Sequence, residues 1–377
     1  MDLSVTAILA FFTSLWLCSA TIQAARAHQI GTDEQQGAQK MHRHWVPRLG
    51  GVPIFIGYLT GLLAMAWLTE TLERETAFLI ICLLPAFAIG LLEDVTRRAG
   101  VMLRLAVTMI SGALGWWLLQ GSLNRIEVPF VDAWLAATPL AALALTLVAS
   151  AGVAHATNII DGCNGLAAMV CLMVLVSLGV VARQLGDVFI MQSAFLAAAT
   201  VLGFLLWNFP FGRIFLGDAG AYTLGFLIAE LSILLVVRNP TVSAWFPMLL
   251  MAYPVWETLF SMARRATYGL HHMGKPDSLH LHQLIHRRLV RRFGPRRDHL
   301  SVVLRNSITS LYLWMLAALC CAPALIWWDD TGMLMFFCAL FALSYRALYR
   351  ALVRFRAPRV LVFRAPSPSL PDDLPRT

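Results

Sequence analysis

Charge is what this sequence has least of. Only 13% of its 377 residues are Asp, Glu, Lys or Arg, about half the share of an ordinary soluble domain. That shortage excludes a chain meant to face water on all sides. Organised cysteine is missing too. The seven Cys are scattered, and apart from the adjacent Cys320-Cys321 no pair has the spacing of a metal site or a disulfide framework. They read as small apolar side chains. The first apolar run has no basic segment ahead of it, starting Met1-Asp2-Leu3. It also exceeds the roughly 7–15 apolar residues of a signal peptide, which favours an uncleaved helix.

What is present is apolar sequence in eleven runs: 3–24, 49–68, 77–92, 104–120, 134–156, 164–182, 188–207, 219–237, 244–262, 307–328 and 332–352. Each approaches the roughly 20 residues that a helix needs to cross a bilayer core of about 30 Å. The expected fold is all-α, a polytopic transmembrane bundle of about 11 helices forming one domain over 1–352. Trp116, Trp117, Trp327 and Trp328 near run ends suit an interfacial belt. The Pro-rich tail from 353 is expected to be disordered at its end.

Loop charge orients such a chain. With eleven spans, loops 25–48, 93–103, 157–163, 208–218 and 263–306 and the tail share one side. Of the 29 Lys and Arg, only Arg74, Arg125, Arg183 and Arg238 fall on the other. The basic side is therefore expected inside, with the N-terminus outside and the C-terminus inside. Topology explains most of the net charge of +8. The Arg- and His-rich stretch 264–297 is dense enough to suit anionic lipid or substrate as well, and charge alone does not choose between these.

The acids are placed selectively. Glu93-Asp94 end the third run, Asp161 follows the fifth in "NIIDGCNGLA", and Asp218 lies in "FLGDAG" between the seventh and eighth. All fall on the basic side. A carboxylate at a membrane boundary can be a solvated helix end, the simpler reading for Asp277 and Asp298. It is poorer for an adjacent acidic pair after apolar sequence, and poorer still for Asp161 and Asp218, which are wrapped in glycine. Acidic sites on one face without Cys or His at ligand spacing suit a hard cation, Mg²⁺ with Mn²⁺ as a substitute. With a basic loop to hold phosphate oxygens, the combination points to phosphoryl transfer on a nucleotide or pyrophosphate substrate.

Five motifs in order then resemble the polyprenyl-phosphate N-acetylhexosamine-1-phosphate transferases, bacterial integral membrane enzymes, over about 40–350. They are "KMHRHWVPRLGGVPI", "GLLEDVTRRAGVMLRL", Asn158-x-x-Asp161-Gly162-x-Asn164-Gly165, "FLGDAGAYTLGF" and "PDSLHLHQLIHRR". The resemblance implies transfer of a sugar-1-phosphate from a UDP-N-acetylhexosamine to undecaprenyl phosphate, with release of UMP. It implies a multi-pass protein of the bacterial inner membrane, its N-terminus periplasmic, its active site cytoplasmic, with no nucleic-acid partner and with a homodimer as one arrangement open to it. Asp218, Asp94 and Glu93 are the implied catalytic residues. Asp218 and Asp94 are the implied metal ligands, Asp94 alternatively acting on the lipid phosphate. Lys40, His42, Asn158, Asp161, Asn164, Phe215, Arg264, Arg265, His280 and His282 are implied to bind substrate.

The departures are specific. The second motif reads Glu-Asp where the family has Asp-Asp, with Arg97 at its third acidic position, and Gln283 replaces the last histidine of the fifth, leaving His286 as a stand-in. The three consecutive histidines of the muramoyl-pentapeptide branch are absent, so the likeness is greater to transferases that initiate O-antigen or related surface polysaccharides. Glu230 and Glu257 lie within apolar runs, Glu257 two turns before Arg264 as a partner inside the bundle. A transporter is the main rival, but it would place its ionisable groups near the midplane and no convincing internal repeat is present. An intramembrane aspartyl protease would need glycine where Phe215 stands.

Overall fold

In a bilayer every backbone N–H and C=O must be satisfied within the protein, which leaves an apolar chain of this kind the choice of helices or a closed barrel. The structure, a computed structural model, describes residues 2–28, 46–267, 279–290 and 299–356, and it takes the helical solution. The helices are α1 (Asp2–His28), α2 (Gly51–Leu68), α3 (Arg74–Thr96), α4 (Val101–Leu118), α5 (Pro129–Ala137), α6 (Pro139–Ile160) and α7 (Leu166–Leu185). They continue with α8 (Val188–Asn208), α9 (Gly217–Arg238), α10 (Trp245–Leu250), α11 (Ala252–Ala266), α12 (Leu281–Arg288), α13 (His299–Ile326) and α14 (Thr331–Val353).

Ten of these are long and apolar enough to cross a membrane. The exception among the expected spans is the run 244–262, which is two helices instead of one. Pro254 has no N–H to offer the Leu250 carbonyl and its ring crowds it, so the chain leaves helical geometry at Met251 (φ −95°, ψ 13°). Bonds from Met251 N–H to Pro247 and from Val255 N–H to Met251 keep the halves joined. The run 134–156 is likewise divided, because Pro139 opens α6 at the first helical position, where a missing N–H costs nothing.

Hydrogen bonds sort the helix termini into two ends. At one, Gly50 N–H donates to Phe215, Gly165 N–H to the Asn208 side chain, and Asn164 N–H to the Asn306 side chain. At the other, Arg238 pairs with Glu75 at 2.9 Å, Asn239 donates to Asp187, and Ser243 N–H donates to Trp328. The α10–α11 pair starts at Ser243 on the second end and reaches the first, where Glu257 meets His280. Two broken pieces therefore make one traverse. The eleven traverses leave the start of α1 and the end of α14 at opposite ends of the bundle.

Helix α9 runs through the middle, packed by α2, α3, α4, α6, α7 and α8 and buried on nearly every residue. A helix apolar all round belongs in a core. Its one deep acid, Glu230, is fully buried, and a Cβ on Gly115 would strike its carboxyl. It lies 12 residues beyond Asp218, about 18 Å along the helix, so it is no part of the cluster described next. The core helix thus carries Asp218 in its first turn, where the loop ends converge.

Candidate active site

The site is built around the first turn of α9. Phe215 N–H donates to Pro47 and Gly50 N–H returns a bond to Phe215, stapling the loop before α2 to the loop before α9. Gly217 takes φ +74°, and a Cβ there would lie 2.0 Å from the Arg48 carbonyl oxygen, so only glycine lets the two loops close. Asp94, at the end of α3 and 1% exposed, then caps the turn. Its Oδ1 accepts the Asp218 N–H and its Oδ2 the Ala219 N–H, both at 2.9 Å. A carboxylate at a helix N-terminus satisfies orphan donors and opposes the helix dipole.

The Asp218 side chain, only 3% exposed, is ringed by donors. Arg48 Nη2 donates to Oδ1 at 3.1 Å, Asn158 Nδ2 to the same oxygen at 3.0 Å, and Arg104 Nη1 to Oδ2 at 2.6 Å. Tyr222, one turn on, lies beside Asp218 and Arg104. Arg48 also approaches Asp94 at 3.9 Å, and Arg104 approaches Glu93 at 4.0 Å. Two arginines thus offset the repulsion among three close carboxylates. Glu93 itself turns back to accept the Ala99 N–H at 2.9 Å, which holds the α3–α4 turn. Arg97, at the motif's third acidic position, is exposed and closes α3 in the left-handed region (φ 54°).

The α6–α7 turn adds Asp161. Burial pushes its carboxyl up to about 7; Arg48 pulls it down, Asp218 pushes it up, and the Gly217 backbone pulls it down. The two asparagines of this turn divide. Asn158 reaches Asp218, whereas Asn164 is buried and faces away: its Nδ2 donates to Pro210 at 3.0 Å and to Ser307 at 3.3 Å. Ser310 donates to the Asn164 carbonyl at 2.7 Å. Asn164 is a clasp joining α7, the α8–α9 loop and α13, its amide nitrogen turned into the fold while Asn158 takes the Asp218 side.

The histidine motif docks on the same turn. A Cβ on Gly162 would lie 2.3 Å from His282 Nε2, so this glycine makes room for the ring. The His280 and His282 rings stack in parallel with centroids 5.6 Å apart. Burial holds His282 down at about 4, a neutral imidazole at physiological pH. Glu257 pairs with His280, Leu281 and Tyr345, not with Arg264 as its spacing suggested. Gln283, the departure in this motif, accepts the His280 N–H at 3.3 Å and starts α12. Arg264 and Arg265 are half-buried in the last turn of α11. Phe215 contributes its backbone staple and is itself half-buried. Lys40 and His42 lie outside the described residues.

Among the described residues no group of three or more His, Cys, Asp or Glu is arranged to hold a metal ion. The oxygen donors at this end are the carboxylates of Asp218 and Asp161, and nitrogen donors now hold the first. Three of about four acceptor positions on the Asp218 carboxylate are filled by nitrogen donors, and Asp161 stands next to it. A cation that keeps water and takes substrate phosphate oxygens needs no more than one or two carboxylates. Arg48 and Arg104 were not picked out from the sequence, although both lie inside quoted motifs. The usable signal was that Arg104 is the one charge at the head of an otherwise apolar run.

Residues 76–236 match the family model described as glycosyl transferase family 4. A Bacillus subtilis protein named probable undecaprenyl-phosphate N-acetylglucosaminyl 1-phosphate transferase is 30% identical over 326 residues, covering 85% of this chain and 86% of the relative. The chain belongs to this family. The family match runs from α3 to α9 and contains Glu93, Asp94, Arg104, Asn158, Asp161 and Asp218, while Glu257 and both motif histidines lie beyond it. A Mycolicibacterium smegmatis decaprenyl-phosphate N-acetylglucosaminephosphotransferase is 26% identical over 82% of this chain and 77% of its own length. A Clostridium beijerinckii phospho-N-acetylmuramoyl-pentapeptide-transferase is 29% identical over 60% and 72%.

Proposed function

We propose that this protein transfers an N-acetylhexosamine-1-phosphate from a UDP-sugar to undecaprenyl phosphate, releasing UMP and leaving the lipid-linked sugar pyrophosphate that starts an O-antigen or related surface polysaccharide. The observation that carries this reading is the Asp218 carboxylate, held between Arg48 and Arg104 beside Asp161 at the end of the bundle where the loops converge. That end carries the basic loops, so it is read as the cytoplasmic face of the bacterial inner membrane.

In this reaction an oxygen of the lipid phosphate attacks the sugar-bearing phosphorus of the donor. A new P–O bond forms as the bond to the bridging oxygen breaks, and UMP leaves with that electron pair. Both reactants are anions and repel each other. Arg48 and Arg104 can pass N–H donors from Asp218 to phosphate oxygens, their planar forks suiting two oxygens at once. Asp218 and Asp161 are the residues that would hold Mg²⁺ or Mn²⁺, which when bound supplies charge neutralisation and polarises phosphorus. Asp94 acts at one remove, fixing the α9 turn. No protein base is required, because a phosphate with a second pKa of about 6 is already mostly dianionic at neutral pH.

The test is UMP release by purified protein given undecaprenyl phosphate, a panel of UDP-N-acetylhexosamines and Mg²⁺, with Asp218→Asn alongside. UMP that requires lipid, cation and Asp218 supports the reading, and the best donor identifies the sugar. If both substrates bind and no donor yields UMP, the reading fails.

A further inference from the structure

Glu257 is an acid inside a membrane bundle, 1% exposed, and every hydrogen bond it accepts leads to the histidine motif or to the last helix. The Glu257 Oε1 accepts His280 Nδ1–H at 2.9 Å and Leu281 N–H at 3.1 Å, and its Oε2 accepts the Tyr345 hydroxyl at 2.7 Å. Helix α14 holds the same segment a second time, Tyr349 donating to the Leu279 carbonyl at 3.1 Å. Phe260 of α11 packs edge-on against both tyrosines. A buried carboxylate is costly unless fully hydrogen-bonded, and His280, Leu281 and Tyr345 supply those bonds here.

We propose that Glu257, anchored by Tyr345, is a positioning residue that fixes the His280 ring with Nδ1 toward Glu257 and Nε2 toward the substrate phosphates. Orienting an imidazole through its other nitrogen is the general use of such a carboxylate. The stack places this ring beside the turn that carries Asp161. His280 lies parallel to His282, whose Nε2 abuts Gly162 in the turn that carries Asp161. The pair of rings therefore leads from Glu257 to the α6–α7 turn, and on this proposal α14 belongs to the active-site framework although it touches no reacting atom.

The inference rests on the transferase reading, and the experiment separates the two. UMP release is measured for the full chain in nanodiscs with Glu257→Gln, Glu257→Asp, Tyr345→Phe, His280→Gln and the double variant Glu257→Gln/His280→Gln. The expected result is a 10- to 100-fold fall in kcat for Glu257→Gln with KM for the UDP-sugar within threefold. Glu257→Asp should recover part of that loss, and Tyr345→Phe should lose three- to tenfold. In the His280→Gln background the Glu257 change should cost less than twofold more. If the two losses multiply instead, Glu257 acts through the fold at Leu281 and the proposal is overturned; a wild-type kcat for Glu257→Gln overturns it equally. ¹⁵N-histidine NMR supplies a readout without turnover, the His280 resonances being those absent from His280→Gln. Retention of the Nδ1–H tautomer signal in Glu257→Gln would count against the proposal even if no UDP-sugar is a substrate.

Discussion

Asp94 is bonded to the backbone of Asp218, not to a ligand shared with its side chain. Its two oxygens accept the N–H groups of Asp218 and Ala219 at 2.9 Å each. The second motif therefore builds the fourth, because the turn that aims Asp218 exists only with an acceptor at position 94. Asp94→Ala should destabilise the protein by about 1–3 kcal/mol, the cost of orphaning buried donors. Asp94→Asn, which keeps one acceptor oxygen, should lose less. Thermal unfolding in detergent checks this, and a wild-type midpoint for Asp94→Ala would show that α9 starts without it.

Asp218 balances two arginines, so its neutral variant should expose their charge. Asp218→Asn should lower UMP release at least 100-fold. Arg104→Lys keeps the charge but loses the planar fork, and about a tenfold loss is expected. Equal activity for Arg104→Lys and wild type would mean that a point charge suffices there.

On the proposed reaction, with Asp161 as a cation ligand, this carboxyl should set a pH dependence of activity. Its carboxyl, pushed up to about 7 by burial, must lose its proton before it can ligate a cation. Activity should rise with pH through about 7 at low Mg²⁺, and because bound cation favours the ionised form, this limb should move to lower pH as Mg²⁺ increases. Asp161→Asn should lack the limb and keep one near the second pKa of the lipid phosphate, about 6. A limb that stays in place across Mg²⁺ concentrations would remove Asp161 from the metal site.

The traverses were legible because each needs only length and apolarity, and for ten of the eleven runs one helix is long enough to cross. The eleventh, over α10 and α11, crosses in two pieces; its prolines were visible, but the break depends on which carbonyl Pro254 abandons. The carboxylates of the site were legible as isolated acids in apolar sequence. Their division of labour was not, since the backbone capping by Asp94 and the inward turn of Asn164 are relations between segments about 40 to 140 residues apart. Arg48 and Arg104 were hidden for a related reason: in a basic loop or at a helix start, an arginine reads as a topological anchor until a carboxylate 114 or 170 positions away is placed against it.

His282 predicts acid sensitivity of the fold. Its folded pKa, about 4, lies below the ordinary 6.5 because burial disfavours the imidazolium. As pH falls below about 6.5 the unfolded chain takes up a proton that the folded loop refuses, so stability drops down to about pH 4 and then levels. His286, also held at about 4 by burial, adds in the same direction. Asp161 opposes them, because its raised pKa favours the folded state as pH falls from about 7 toward 4. His282→Leu should reduce the loss of thermal midpoint between pH 7 and 5. An unchanged slope would place the sensitivity elsewhere.

The two asparagines of the α6–α7 turn should separate stability from catalysis. Asn164→Ala removes the donor to Pro210 and Ser307 in a buried clasp and should destabilise the fold by about 1–3 kcal/mol while KM for the UDP-sugar stays within twofold. Asn158→Ala removes one of three donors to Asp218, leaving the helices joined, and should lower kcat about tenfold at a near-wild-type midpoint. The pair is decisive when measured together. A tenfold rise in KM for Asn164→Ala at an unchanged midpoint would mean that this side chain turns outward to meet the nucleotide, and that the clasp on Pro210 opens in the working enzyme.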